Sequence, residues 1–210
     1  MPLTFPAHQG LILPVASKWS NHIDALALSV GAAMPDIVDS TVGIFVNRYF
    51  THWYGHALVG VFTIDLLGGL LITWMITVFV ALLVKYTVLP QRLQTLFTNA
   101  QPKSGPAAER NSMYGWQKLN LWSFSVTVGV LSHLAFDLIS HDKNLLLYPW
   151  YNDLRWFPAW WYTTWFEIPS LPIFGHLYAV GSFTVMWVIL TSIGIILFFR
   201  FLSPKYKNNM

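Results

Sequence analysis

Three stretches of this sequence, residues 57–84, 119–140 and 177–202, are each long and apolar enough to cross a lipid bilayer, and no other feature limits the fold as strongly. A spanning helix needs about 20 mostly apolar residues, because the hydrocarbon core is about 30 Å thick and a helix rises about 1.5 Å per residue. The first stretch is interrupted only by Asp65 and the Gly68-Gly69 pair. Two shorter apolar helices are expected ahead of it, over 6–17 and 21–34, separated by Lys18, Trp19 and Ser20. Neither is long enough to cross alone, so residues 6–34 read as a re-entrant or partly inserted hairpin packed on the long helices. A signal peptide competes for the same residues, but the first basic residue is Lys18 and no charged region precedes the apolar run. The expected fold is all-α: a polytopic membrane helix bundle forming one integral membrane domain over residues 1–210.

Composition agrees with lipid as the solvent. Only 10% of the 210 residues are charged and 55% are hydrophobic, where soluble domains carry roughly 25% charged residues. Disorder and a disulfide scaffold are disfavoured together, since disorder needs low hydrophobicity and the chain has no cysteine. The net charge of +3 comes from 12 basic against 9 acidic residues. Its placement reads as membrane topology rather than nucleic-acid contact.

Arg92, Lys103, Arg110 and Lys118 lie in the polar segment 90–118, with Glu109 the only acid, and Lys205 and Lys207 follow the last apolar stretch. By the positive-inside rule this loop and the C-terminus are cytoplasmic, placing the chain in the cell (inner) membrane with the opposite helix ends outside. The external loop 141–176 contains Trp150, Trp156, Trp160, Trp161 and Trp165. Trp and Tyr favour the headgroup level, so this loop is expected to rest on or dip into the outer leaflet. A reporter inserted near Ser104 should therefore read cytoplasmic and one near Asn152 external. The reverse pattern would overturn the orientation.

Ionisable groups in or at the ends of spanning helices are costly, roughly 2.5 to 3.5 kcal/mol each on insertion scales, so each is a candidate for function. His133 and Asp137 are four residues apart and stack on one helical face, with His141 one turn further. An imidazole and a carboxylate so arranged form half of a metal site, though a buried His-Asp hydrogen bond would look the same in sequence. The topology brings His56, at the outer end of the first long stretch, to the same side. In Met34-Pro35-Asp36 the proline is expected to stop the second short helix and leave Asp36 at its junction. His8 opens the first short helix on that side too. One layer would then hold His8, Asp36, His56, His133, Asp137 and His141, with His52 and His176 as further candidates. Imidazole and carboxylate without thiolate suit a divalent ion such as Zn²⁺, Mn²⁺ or Fe²⁺. So many ligands allow one or two ions, with a carboxylate bridging a pair.

The opening Pro2-Leu3-Thr4-Phe5-Pro6-Ala7-His8, the Met34-Pro35-Asp36, the His56-Ala57-Leu58-Val59-Gly60 and the Ser132-His133…Asp137…Ser140-His141 carry a resemblance over nearly the whole chain. They resemble a small bacterial multi-pass membrane family of unknown function among the bacterial membrane-bound metal-dependent hydrolases. More distantly they resemble the zinc-dependent phospholipase C and S1/P1 nuclease fold, helical and binding a zinc cluster. The resemblance implies that Asp36, His56, His133 and Asp137 hold one ion and that His8 with a shared Asp137 helps hold a second. Two departures stand out. The phospholipase pattern has a late His-x-x-x-Glu, whereas His176 here is followed by Leu-Tyr-Ala-Val, which leaves His141 and His176 as the candidates for any further ion. The membrane relatives often carry His-Pro where this chain has His8-Gln9.

Of the remaining polar residues, Asp65 reads either as a buried hydrogen bond to a neighbouring helix, with Gly68 and Gly69 allowing close approach, or as support for a ligating histidine. Asp39 could lie behind the ligands or in solvent, and His22 falls at the hairpin turn. Arg155 in the aromatic loop is a candidate phosphate clamp, or else a lipid-headgroup contact. Glu167 and Asp153 are acids within that loop, and spacing selects neither as a proton carrier. Two functions follow as expectations. One is a metal-dependent hydrolase of a phosphoester or related bond in a lipid or lipid-linked substrate, with Asp36 and Asp137 as catalytic carboxylates. The other is a non-catalytic transport, assembly or structural protein with a structural metal or a proton-relaying His/Asp cluster. An open coordination position separates them, since structural sites close theirs.

Overall fold

The computed structural model describes residues 4–42, 54–85, 115–141, 145–151, 155–169 and 177–202. Helices α1 (Thr4–Lys18) and α2 (Ala25–Ile37) form the N-terminal hairpin. At about 1.5 Å per residue each is near 20 Å long, short of a bilayer. Asp24 caps α2 by accepting a 2.8 Å hydrogen bond from the Ala27 N–H, and its own N–H donates to Ser125 Oγ at 2.9 Å. Burial at this turn pushes the Asp24 carboxyl above the usual carboxylate range, while the Ala27 N–H and neighbouring donors oppose the shift.

The first long stretch begins with a single turn, Leu58–Gly60, continues as a π-helical turn, Val61–Asp65, and becomes α3 (Leu66–Lys85). Helices α4 (Gly115–Ser140) and α5 (Ser182–Leu202) complete the bundle. Three helical segments, Leu58–Leu83, Gly115–Ser140 and Ser182–Phe201, have the length and apolar character to cross a membrane. Over its apolar stretch Gly115–Ser140 is far more buried inside the protein than the other two are over theirs, 44% against 11% each, so α4 is the central helix. Phe62, Leu67, Leu71 and Phe79 of the first stretch and Ile193, Ile196 and Phe199 of α5 are exposed. Such a surface suits lipid, not water.

The core lies between α2 and α4, where Ala27, Val30 and Met34 pack with Val61, Trp122, Val126, Val130 and Leu134. The two backbones nearly touch there: a Cβ on Gly31 would overlap the Val126 carbonyl, and one on Gly129 would overlap that of Leu28. Small residues at a helix crossing allow this approach. Helix α1 packs on α2 and α5.

Two expectations are corrected. Pro35 does not end its helix. Helix α2 runs through to Ile37 and on into a π-helical turn, Val38–Val42. The Val38 N–H is shared between the Met34 and Pro35 carbonyls, which carries the ladder past the donor that proline lacks. The last apolar stretch is also not helical from residue 177. Leu177–Gly181 is a strand, β2, paired antiparallel with β1 (Thr164–Pro169), and α5 starts only at Ser182. Because the apolar run continues across Gly181 without interruption, hydropathy alone could not divide strand from helix. The all-α class is as expected: the described residues form a helix bundle, to which the small β-hairpin is the one addition. The polar loop up to residue 114, Lys205, Lys207 and Asp153 lie outside the described residues.

Candidate metal centre

Residues three or four apart along α4 return to one face, and that face is the buried one: Trp122, Ser125, Val126, Gly129, His133, Asp137 and Ser140. Its lower part is packed core. Its upper part is polar, and α2 and the residue before the first long stretch meet it there. His133 Nε2 lies 3.1 Å from Asp137 Oδ2 and 3.9 Å from Asp36 Oδ2. His56 Nε2 lies 3.7 Å from the same Asp137 oxygen and 3.8 Å from Asp36 Oδ1. Asp36, His56 and His133 each offer a ligand atom, all within 4.8 Å of one another.

The hydrogen bonds decide which nitrogen of His133 faces this cluster with a lone pair. His133 Nδ1 is 2.9 Å from the Ala32 carbonyl oxygen, which can only accept, so Nδ1 carries the proton. In the neutral ring Nε2 is then the unprotonated atom, aimed at two carboxylates. Lone pairs facing lone pairs repel, and the arrangement calls for a positive charge between them. A proton on Nε2, giving an ordinary His-Asp ion pair, satisfies one carboxylate. A divalent ion satisfies both together with the two imidazoles, and the donor set of two His nitrogens and two carboxylates fits Zn²⁺, Mn²⁺ or Fe²⁺.

His8 stands behind His133, with Nδ1 2.8 Å from His133 Nδ1 and ring centroids 4.3 Å apart. His8 Nδ1 can then only accept, so the one Nδ1 proton of His133 is shared between the Ala32 carbonyl and His8 Nδ1. Burial, reinforced by the neighbouring His133 imidazole, pushes the His8 pKa down to about 4, which leaves that lone pair available at neutral pH. His141 lies on the open side, 36% exposed where His133 is 1% exposed. Its Nδ1 is 3.3 Å from Asp137 Oδ1 and 3.1 Å from Ser140 Oγ. Ser140 donates its hydroxyl proton to the Phe136 carbonyl, so it accepts from His141. Asp137 thus presents one oxygen to His133 and His56 and the other to His141. The Leu58 N–H donates to the Leu146 carbonyl at 2.9 Å, tying the segment after α4 across the chain beside His56.

The structure therefore brings together His8, Asp36, His56, His133, Asp137 and His141. His52 and His176 lie outside the described residues. Arg155 is exposed in the aromatic loop, its guanidinium 5.4 Å from the centre of the Tyr162 ring. Sequence reasoning had no means to find the Ala32 carbonyl, a backbone group. The two π-helical turns that follow Asp36 and His56 were missed as well, although such turns often mark functional sites.

A family model described as a domain of unknown function, DUF4184, matches residues 1–200. The chain belongs to the DUF4184 family. No curated protein and no solved structure matches it. The match covers all six clustered residues of this DUF4184 chain, while a relationship to metal-dependent hydrolases or to the phospholipase C fold is not among these findings.

Proposed function

We propose that this protein is a metal-dependent membrane hydrolase acting on a phosphoester or related bond of a lipid or lipid-linked substrate. The observation that carries the reading is the convergence of Asp36 and Asp137 on the Nε2 atoms of His56 and His133 at one end of an apolar helix bundle. A divalent ion held by these four residues would polarise a phosphoryl oxygen and acidify a water. Asp36, with 24% of its side chain exposed against 10% for Asp137, is placed to take a proton from an attacking water. His141, itself held by Ser140, would keep Asp137 oriented through its second oxygen. Exposed Trp150, Trp156, Trp160 and Trp165 would seat the loop at headgroup depth, where Arg155 can clamp a phosphate bidentately.

The test is release of phosphate or headgroup from a mixed-lipid panel by detergent-purified protein supplied with Zn²⁺ or Mn²⁺. Turnover by the wild type that vanishes in Asp36→Asn is the expected result. A chain that binds metal yet releases nothing from any lipid is the non-catalytic membrane protein instead.

A further inference from the structure

His8 joins the cluster through another imidazole rather than through a carboxylate. Its Nδ1 lies 2.8 Å from His133 Nδ1, with the two rings edge to face. Both side chains are buried. Two ring nitrogens at this distance hold one proton between them, and the Ala32 carbonyl, 2.9 Å from His133 Nδ1, places it on His133. The reverse assignment would set a lone pair of His133 against the carbonyl oxygen. A neutral imidazole has one N–H and one lone pair. His8 commits its lone pair to His133, so its Nε2 carries the N–H and neither nitrogen is left to bind an ion. A ligand role for His8 would need that lone pair back.

Packing holds His8 in this place. Helix α1 is pressed on α5: a Cβ on Gly10 would overlap the Gly194 carbonyl, and one on Gly194 would overlap that of Ala7, the residue before His8. Ile12 and Ala16 of α1 pack with Leu28 and Ala32 of α2. Ala32 thus anchors α1 with its side chain while its carbonyl meets His133. A histidine that ligates a metal through one nitrogen almost always donates its other N–H to an acceptor, which fixes the ring and raises the basicity of the ligating atom. His133 has two acceptors for that proton, and the imidazole nitrogen is more basic than the amide oxygen.

We propose that His8 is a positioning residue of the metal centre and not one of its ligands: by accepting the His133 Nδ1 proton it fixes the ring that turns Nε2 toward the ion and makes that nitrogen a stronger donor to it. The proposal rests on the metal reading above. It is tested by titrating Zn²⁺ into metal-free protein against a chromophoric chelator, which reads the number of ions and their affinity, and by recording the absorption spectrum with Co²⁺ in its place. The proteins compared are the wild type, His8→Asn and His8→Ala. Asn sets a carbonyl oxygen close to where Nδ1 stands and can accept the same proton, whereas Ala accepts nothing. The expected result is the same number of ions per chain in all three proteins, with an affinity about 10- to 100-fold lower and a changed Co²⁺ spectrum for the Ala variant. The Asn variant should recover most of that loss. One ion fewer in either variant would make His8 a ligand and overturn the proposal. An Ala variant that binds like the wild type, or an Asn variant as weak as the Ala one, would overturn it too while leaving the metal centre standing. No binding by the wild type would remove the metal centre, and this proposal with it. If the Ala variant does not fold, His8→Leu, which also removes the acceptor and fills the buried space, is read by the same criteria.

Discussion

His133→Ala and Asp137→Ala proteins, purified in detergent beside the wild type, are expected to contain no divalent metal where the wild type carries one or two ions per chain. Each change removes a group on which the others converge: Asp137 Oδ2 is shared by two imidazoles, and His133 Nε2 faces two carboxylates. Without His133 the carboxylates of Asp36 and Asp137 keep their charges but lose the nitrogen between them. Thermal stability gives a second reading of the same event. An ion at about 100 times its dissociation constant stabilises the folded state by about 2.7 kcal/mol. For a protein of this size each kcal/mol moves the melting temperature by about 2–4 °C. Chelation should therefore lower the wild-type transition by about 5–11 °C and leave both variants unmoved. Elemental analysis showing no metal in the wild type, or equal metal in all three proteins, would sink the metal centre.

The residues of the centre were legible in sequence for a physical reason that the fold did not share. In an apolar chain each ionisable side chain stands out, and the four-residue spacing of His133, Asp137 and His141 already places them on one face of a helix that had to be straight and long. His56 and Asp36 could be added because three crossings and a hairpin leave few ways to arrange helix ends. The local backbone was less legible. Proline at 35 carries a strong helix-stopping signal, yet α2 passes through it, because packing against α4 and the shared Val38 N–H outweigh one missing donor. The β-hairpin was hidden because Leu177–Gly181 runs into α5 without a polar break. His8 was visible, but its neighbour was not. Sequence can place an imidazole near the centre, not show which of its nitrogens is already taken.

The close crossing of α2 and α4 makes the second large prediction, and it joins the fold to the site. Gly31→Ala places a methyl group on the Val126 carbonyl and main chain, atoms that no rotamer change can move aside. Overpacking of this kind typically costs about 1–3 kcal/mol, and a backbone obstacle puts the change at the upper end, a fall of about 6–12 °C in melting temperature. The damage should not stop at stability. Gly31 immediately precedes Ala32, whose carbonyl holds the proton of His133 Nδ1, and α2 carries Asp36 one and a half turns further on. Pushing α2 away from α4 lengthens the Ala32–His133 hydrogen bond and separates Asp36 from His133 Nε2. The variant should thus bind Zn²⁺ more weakly, although no ligand has been changed. Gly115→Ala, at a position where an added Cβ meets nothing within 4 Å, is the matched control and should change neither property. If Gly31→Ala melts and binds metal like that control, then the glycines are not what sets the distance between the two helices, and the centre does not depend on their close approach.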